Sequence, residues 1–243
     1  MSISHQRLDR FLVVNTDLSK REIKLKLAQG KVLVDDHIVN DGSVIIHFFS
    51  QISLDGVSIQ DNQPHYIMLH KPVGVVCATK DDKHITVIDL IRDNYGDEIA
   101  NSLHIVGRLD LNTSGLVLLT NDSRWSSRVT SPEKKIEKHY RVTLENPIST
   151  DYIAAFQQGM YFDYEGITTK PAKLSIVSSH VAHVMLTEGR YHQIKRMFGR
   201  FRNPVVGLHR YAVGNLVLAD SLALGASRDL TKEEVALIFL MIH

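Results

Sequence analysis

The chain has 243 residues, 44% of them hydrophobic and 23% charged, with a formal net charge of +1. Such a chain folds into one large domain or a small domain plus a medium one, and it is neither disordered nor globally basic. A single cysteine, Cys77, excludes an intrachain disulfide and a cysteine-based zinc site, and the thirteen histidines lack ligand spacing, so no metal is expected.

Arg7-Leu8-Asp9-Arg10-Phe11-Leu12 places apolar residues at helical spacing. Ser19 with Glu22 makes a capping-box signature that opens a second helix running to Leu27, with Gly30 as its stop. Lys31–Val34, an Asp35-Asp36 turn and Ile38-Val39 read as short strands. Charge is segregated: residues 1–31 hold seven cations against three acids, whereas residues 32–60 hold four aspartates and no Lys or Arg. Arg7, Arg10, Lys20, Arg21 and Lys24 lie on the basic part, which suits either phosphate binding or a solvated helix surface. Asp55-Gly56 and Gln60–Pro64 mark the clearest break. A linker is therefore expected near 56–65, with one domain at residues 1–60 and a second at 61–243.

Beyond the break, Tyr66–Leu69 reads as a strand, followed by Lys71-Pro72 and Gly74, and a helix is expected from Thr86 to Tyr95. Buried strands at 103–106 and 116–119 flank a turn-prone segment that carries one cation and one carboxylate, Arg108 and Asp110. From spacing alone this segment is a surface hairpin with Arg108 solvated. A helix at Ser123–Val129 is stopped by Pro132, and Lys138–Leu144 reads as a strand. Tyr152–Gln158 is helical with Gly159 as its stop, and strands follow around Leu174–Val177 and Ala182–Leu186.

A long helix is expected from Arg190, with Ile194, Met197, Phe198 and Phe201 as its core stripe and His192, Lys195 and Arg196 opposite. Residues 188–210 hold six cations and one acid, either an anion-binding footprint or a solvated basic helix. The longest apolar run, Val235 to Ile242, is too short to span a bilayer, and the amino terminus has no apolar leader, so the expected location is cytoplasmic. Strands and helices interleave without steady alternation. The expected class is α+β, a mixed, largely antiparallel sheet with helices against it.

Gly107-Arg108-Leu109-Asp110-Leu111-Asn112-Thr113-Ser114-Gly115-Leu116, continued by Leu119-Thr120-Asn121-Asp122, resembles the motif of the catalytic aspartate in pseudouridine synthases of the ribosomal-RNA type. The one departure is Ser123, where many relatives have glycine. Glu188–Phe198 is similar to the carboxy-terminal motif of the same family, Lys138–Val142 to its tyrosine strand, and Lys71-Pro72-Val73-Gly74 to its Lys-Pro motif. Arg7-Leu8-Asp9, Ser19–Glu22 and Gly30–Val34 resemble the S4 RNA-binding domain. Trp125–Pro132, Thr169–Ala172 and Glu188–Gln193 look closest to members that act on the small ribosomal subunit.

The resemblance implies a pseudouridine synthase fold behind a small S4-like domain, and no cofactor. It assigns Asp110 as catalytic carboxylate, Lys195 as its cationic partner where many relatives have arginine, and Tyr140 as the ring that stacks on the target base. It makes Arg108 the residue that fills the space of an everted uridine, and Lys71, Arg190, His192 and Arg196 further RNA contacts beside Arg7, Arg10, Lys20, Arg21 and Lys24. The implied substrate is one uridine of 16S rRNA, at position 516. The implied partner is that RNA or a partly assembled small subunit, and a monomer is expected. The alternatives are a paralogue acting on 23S rRNA and an assembly factor that binds RNA without changing it. The motifs for nucleotide cofactors and for a serine nucleophile elbow are not found in the sequence.

Overall fold

In the computed structural model, which describes residues 5–240, the chain divides between Pro64 and His65, with Asp122–Arg124 grouped with the first unit. The first unit runs β1 (Gln6–Arg7), α1 (Leu8–Asn15), α2 (Lys20–Ala28), β2 (Val32–Val34), β3 (His37–Ile38), β4 (Ile45–Ile46), β5 (Ile52–Leu54) and β6 (Val57–Gln60). Ser19 and Glu22 form the capping box that their spacing predicts, and Gly30 follows the helix at φ 67°. Strands β3, β2, β5 and β6 make an antiparallel sheet, and Leu8, Leu12, Ile23, Val32 and Ile52 pack together as the core. Asp55-Gly56 is a hairpin turn and not a linker. Both residues have positive φ, and Leu54 pairs with Val57 across them. The expected break at 56–65 therefore narrows to the few residues after β6.

The second unit continues with β7 (Tyr66–Lys71), α3 (Val87–Ser102), β8 (His104–Val106), β9 (Ser114–Thr120), α4 (Ser123–Thr130), β10 (Lys138–Leu144), α5 (Asp151–Gln158), β11 (Tyr161–Phe162), β12 (Ile167–Thr168), β13 (Lys173–Ser178), β14 (Val181–Leu186), α6 (Gln193–Gly199), β15 (Val205–Val213), β16 (Leu216–Val217), β17 (Ser227–Asp229) and α7 (Lys232–Leu237). A nine-stranded mixed sheet, ordered β13-β14-β10-β15-β9-β7-β17 with β16 and β8 at its side, is antiparallel except where β15 runs parallel to β9. Strands β7 and β9 are buried on both faces, which explains their unbroken apolar runs: Val117 and Leu119 enter one core cluster, Leu116 and Leu118 the other.

Helix α3 is longer than expected because it kinks at Gly96 (φ 77°) and continues to Ser102. Helix α6 is shorter than expected. It cannot start at Arg190, because His192 is left-handed at φ 48° and breaks the helical path there. Among the described residues no helix is long and apolar enough to cross a membrane; the last two residues of the apolar run Val235–Ile242, and residues 1–4 of the amino terminus, lie outside the described residues.

Candidate active site

Asp110 sits on the loop between β8 and β9, and two buried cations hold that loop by its carbonyls. The Lys71 ammonium, at the end of β7 and fully buried, donates to the carbonyl oxygens of Thr113 (2.7 Å), Pro72 (3.0 Å) and Asp110 (3.1 Å). The Arg210 guanidinium, on the core side of β15, donates to Leu116 (2.9 Å) and Gly107 (3.1 Å). Hydrogen bonds to a charged donor contribute about 1.5–3 kcal/mol each, so the loop is fixed from beneath. Burial lowers the Lys71 pKa, opposed by the charges of Cys77 and Asp110. The Thr113 N–H closes the turn onto the Asp110 carbonyl at 3.0 Å.

Gly115 makes this arrangement possible. At φ 113°, its missing Cβ would lie 2.2 Å from the Arg210 carbonyl oxygen, so only glycine lets β15 run this close to β9.

The Asp110 carboxylate is about one-third exposed, and its Oδ2 lies 3.3 Å from His192 Nε2. His192 is placed by the segment before α6. Glu188 accepts from the Lys170 N–H (2.8 Å) and from the Gln193 side-chain amide (2.7 Å), while Gln193 Oε1 accepts from the Arg190 N–H (3.1 Å). This network, with Ile194, Met197 and Phe198 in the core, anchors α6 and forces the left-handed turn at His192; Tyr191 stacks on the imidazole at 3.9 Å. Neither Gln193 nor Arg210 was recognisable as part of the site by charge counting. Their signal lies in position: Gln193 is the first residue of the helix, and Arg210 alternates with Leu208 and Ala212 on the core side of a strand.

A pocket of about 90 Å³ opens over Asp110, lined also by Arg108, Tyr140, His192, Lys195 and Leu208. Tyr140 comes from β10, 9% exposed, and Arg108 is exposed with no side-chain partner among the described residues. Lys195 lines the pocket without an ion pair to Asp110; the side chain in contact with that carboxylate is the His192 imidazole. Other expected RNA contacts are placed differently. Lys71 has no surface to offer a phosphate, since its ammonium is consumed by the loop carbonyls. Arg196 pairs with Glu165 at 2.5 Å and lies over the Phe162 ring, and Arg190 pairs with Glu188 at 3.1 Å. The basic surplus counted at 188–210 is thus matched partly by acids from elsewhere, including Asp163, which pairs with Arg200.

In the first unit, Arg7, Arg10, Lys20 and Lys24 line an open cleft of about 700 Å³, with Arg7 paired to Asp9 at 2.6 Å; Arg21 is exposed outside that lining. No group of three or more His, Cys, Asp or Glu side chains suited to a metal occurs among the described residues.

Residues 65–199 match the model of the RNA pseudouridylate synthase family, a span that holds Asp110, Tyr140, His192 and Lys195. The chain belongs to that family. It is 45% identical to the ribosomal small subunit pseudouridine synthase A of Pseudomonas aeruginosa over 94% of this chain and 98% of that one. The protein of the same name from Escherichia coli is 39% identical over 95% and 98%. A solved structure described as a pseudouridylate synthase covers 96% of this chain and 99% of its own, at a TM-score of 0.69 and 39% identity. As a member of this family, the enzyme is an RNA pseudouridine synthase built on a mixed α+β fold.

Proposed function

We propose that the enzyme isomerises one uridine of small-subunit ribosomal RNA, position 516 of the 16S molecule, with Asp110 as its catalytic carboxylate. The substrate class is supported by the relatives, which carry the small-subunit name at 39–45% identity over nearly the whole chain. The catalytic assignment is carried by one observation: among the described residues, Asp110 is the only carboxylate lining a pocket whose charged groups are otherwise the cations Arg108, Arg190 and Lys195, with the His192 imidazole beside them.

The reaction breaks the N-glycosidic bond, turns the freed uracil and rejoins it to C1′ through carbon. No redox change or group donor enters the balance. A carboxylate beside C1′ serves either as nucleophile or as the base that removes a sugar proton. Lys195 supplies positive charge across the pocket, and Tyr140 receives the face of the everted base.

A pocket of about 90 Å³ is well below the several hundred typical of bound ligands, so uridine entry widens it. His192, in contact with Asp110 and held in a left-handed conformation, is the group we assign to that opening. Arg108 then enters the vacated stack or meets the adjoining phosphate, the space left by a nucleotide whose extrusion costs a few kcal/mol.

The first unit acts as an S4-like RNA-binding domain. Its exposed cations Arg10, Lys20, Arg21 and Lys24 contact phosphate directly, and Arg7 does so while shared with Asp9. Arg190 and Arg196 reach RNA only by sharing their guanidinium groups with Glu188 and Glu165. The partner is 16S rRNA or a partly assembled small subunit, bound by a monomer. Incubation of the enzyme with 16S RNA and with a small-subunit particle, followed by nucleotide-resolution mapping, tests this. One new pseudouridine at position 516 is expected; modification confined to 23S RNA contradicts it.

A further inference from the structure

Among the described residues of the second unit, one sheet face is exposed over β13, β14 and β10. On β10, Tyr140, Val142 and Leu144 turn to the core, so His139, Arg141 and Thr143 turn the other way. The register of the neighbouring strands then aligns Ser175, His183, Arg141, His209 and Ser114 as one row across five strands. Directly paired residues share a face, so these side chains are neighbours. Rings gather beside the row. The Tyr211 ring lies 5.8 Å from His139 and 5.2 Å from His183, and the His70 ring lies 5.6 Å from His209.

Over β7 and β9 this face is covered by the apolar cluster around Leu116, Leu118 and Trp125. Over β13, β14 and β10 the side chains of Ser175, His183 and Arg141 are exposed.

The chemistry of this face is one-sided. Arg141 and Lys173 are exposed cations on it, and Glu137 lies 3.4 Å from His139. Burial holds the His139 and His209 imidazoles below their ordinary pKa, which leaves them neutral rings at pH 7, suited to stacking and hydrogen bonding. The floor is flat where Gly207 faces Thr143, whose Cβ a side chain at 207 would approach to 3.2 Å. A groove of about 470 Å³, lined by Asn112, Ser114, Arg141, Lys195, Val206 and His209, runs from this face, and Lys195 and Leu208 line both it and the Asp110 pocket.

Rings clustered at tilted angles to one another, with Arg141 in the row beside them, offer apolar faces and a positive charge that suit an unpaired strand; a duplex hides its base faces and would gain little from them. We propose that this row is a platform for the single-stranded RNA adjoining the target uridine, with Arg141 on a phosphate and His183 and Tyr211 beneath its bases. The inference rests on the proposed function, since it extends the uridine pocket along the same strand.

The test uses the full-length enzyme, a labelled oligouridylate and a labelled RNA hairpin stem. The Arg141→Ala, His183→Ala double variant is expected to bind oligouridylate about tenfold more weakly, by loss of one stacking partner and one phosphate contact, with stem affinity unchanged. Photocrosslinking of 4-thiouridine RNA to the unaltered enzyme, which needs no variant, is expected to mark peptides that carry His183 or Tyr211. Unchanged oligouridylate affinity in a folded variant, an equal loss for the stem, or crosslinks confined to other peptides overturns the platform. Isomerisation of 16S RNA is assayed in parallel. Activity without crosslinks on this face removes the platform alone, and crosslinks without activity remove the proposed reaction alone.

Discussion

Lys71 and Arg210 are buried cations with no carboxylate partner among the described residues, and carbonyl oxygens of the Asp110 loop take that place. Burying an ammonium is costly unless its hydrogen bonds are complete, so the loop and the lysine depend on one another. The sequence resemblance assigns Lys71 partly to RNA; its burial assigns it to architecture. Lys71→Met is expected to lower unfolding free energy by about 2–3 kcal/mol, because it leaves several buried carbonyls without a donor. Urea denaturation measures this. Parent-like stability with a reduced salt dependence of RNA binding would instead return Lys71 to the phosphate contacts. His192 shows the complementary economy: a left-handed non-glycine residue costs on the order of 1–3 kcal/mol, and the Glu188 and Gln193 hydrogen bonds sustain it.

At the scale of elements, the contact between β9 and β15 positions the site, and Gly115 permits it. Gly115→Ala adds a Cβ 2.2 Å from the Arg210 carbonyl oxygen, at a φ that disfavours any side chain. Thermal unfolding of this variant is expected to begin well below the parent, with a loss of several kcal/mol; a melting curve superimposed on the parent would show that β15 has room to move.

The same elements show what can be read without coordinates. Strand Lys138–Leu144 was recognisable from strict alternation, the α2 start from its capping box, and β9 from a continuous apolar run between turn residues. Four features were not. Asp55-Gly56 carries a hairpin signal, but the four-residue strand after it is too short to oppose a linker reading. The break before α6 is invisible to helical periodicity, since it comes from hydrogen bonds to Glu188 and Gln193 made across the turn. Arg210 was counted among surface cations, because composition does not distinguish a guanidinium facing the core from one facing water. The position of Asp110 on a loop between buried strands was legible, and its contact with His192 was not.

Considered whole, the proposed function separates two tasks by unit. Substrate chemistry falls on the second unit, where Asp110, Tyr140 and Lys195 converge on one pocket. Long-range attraction is proposed for the first, whose cations form a cluster that the near-zero net charge of the chain conceals. Replacement of Lys20, Arg21 and Lys24 by alanine is expected to weaken RNA binding and to lower the slope of log affinity against log salt by roughly two, since each lost phosphate contact removes about 0.7–0.9. Filter binding over a salt series reads this directly, and an unchanged slope would remove α2 from the RNA contacts.

Asp110 remains the centre of the account. Asp110→Asn keeps the shape of the side chain and removes its charge, and the buried cations Lys71 and Arg210 beneath the loop are held by backbone carbonyls rather than by this carboxylate, so the variant should fold and bind RNA as the parent does. The decisive measurement is single-turnover pseudouridine formation in 16S RNA by this variant beside the parent, at enzyme concentrations that saturate binding. Bound RNA with no detectable isomerisation is the predicted result, and turnover at the parent rate would contradict it.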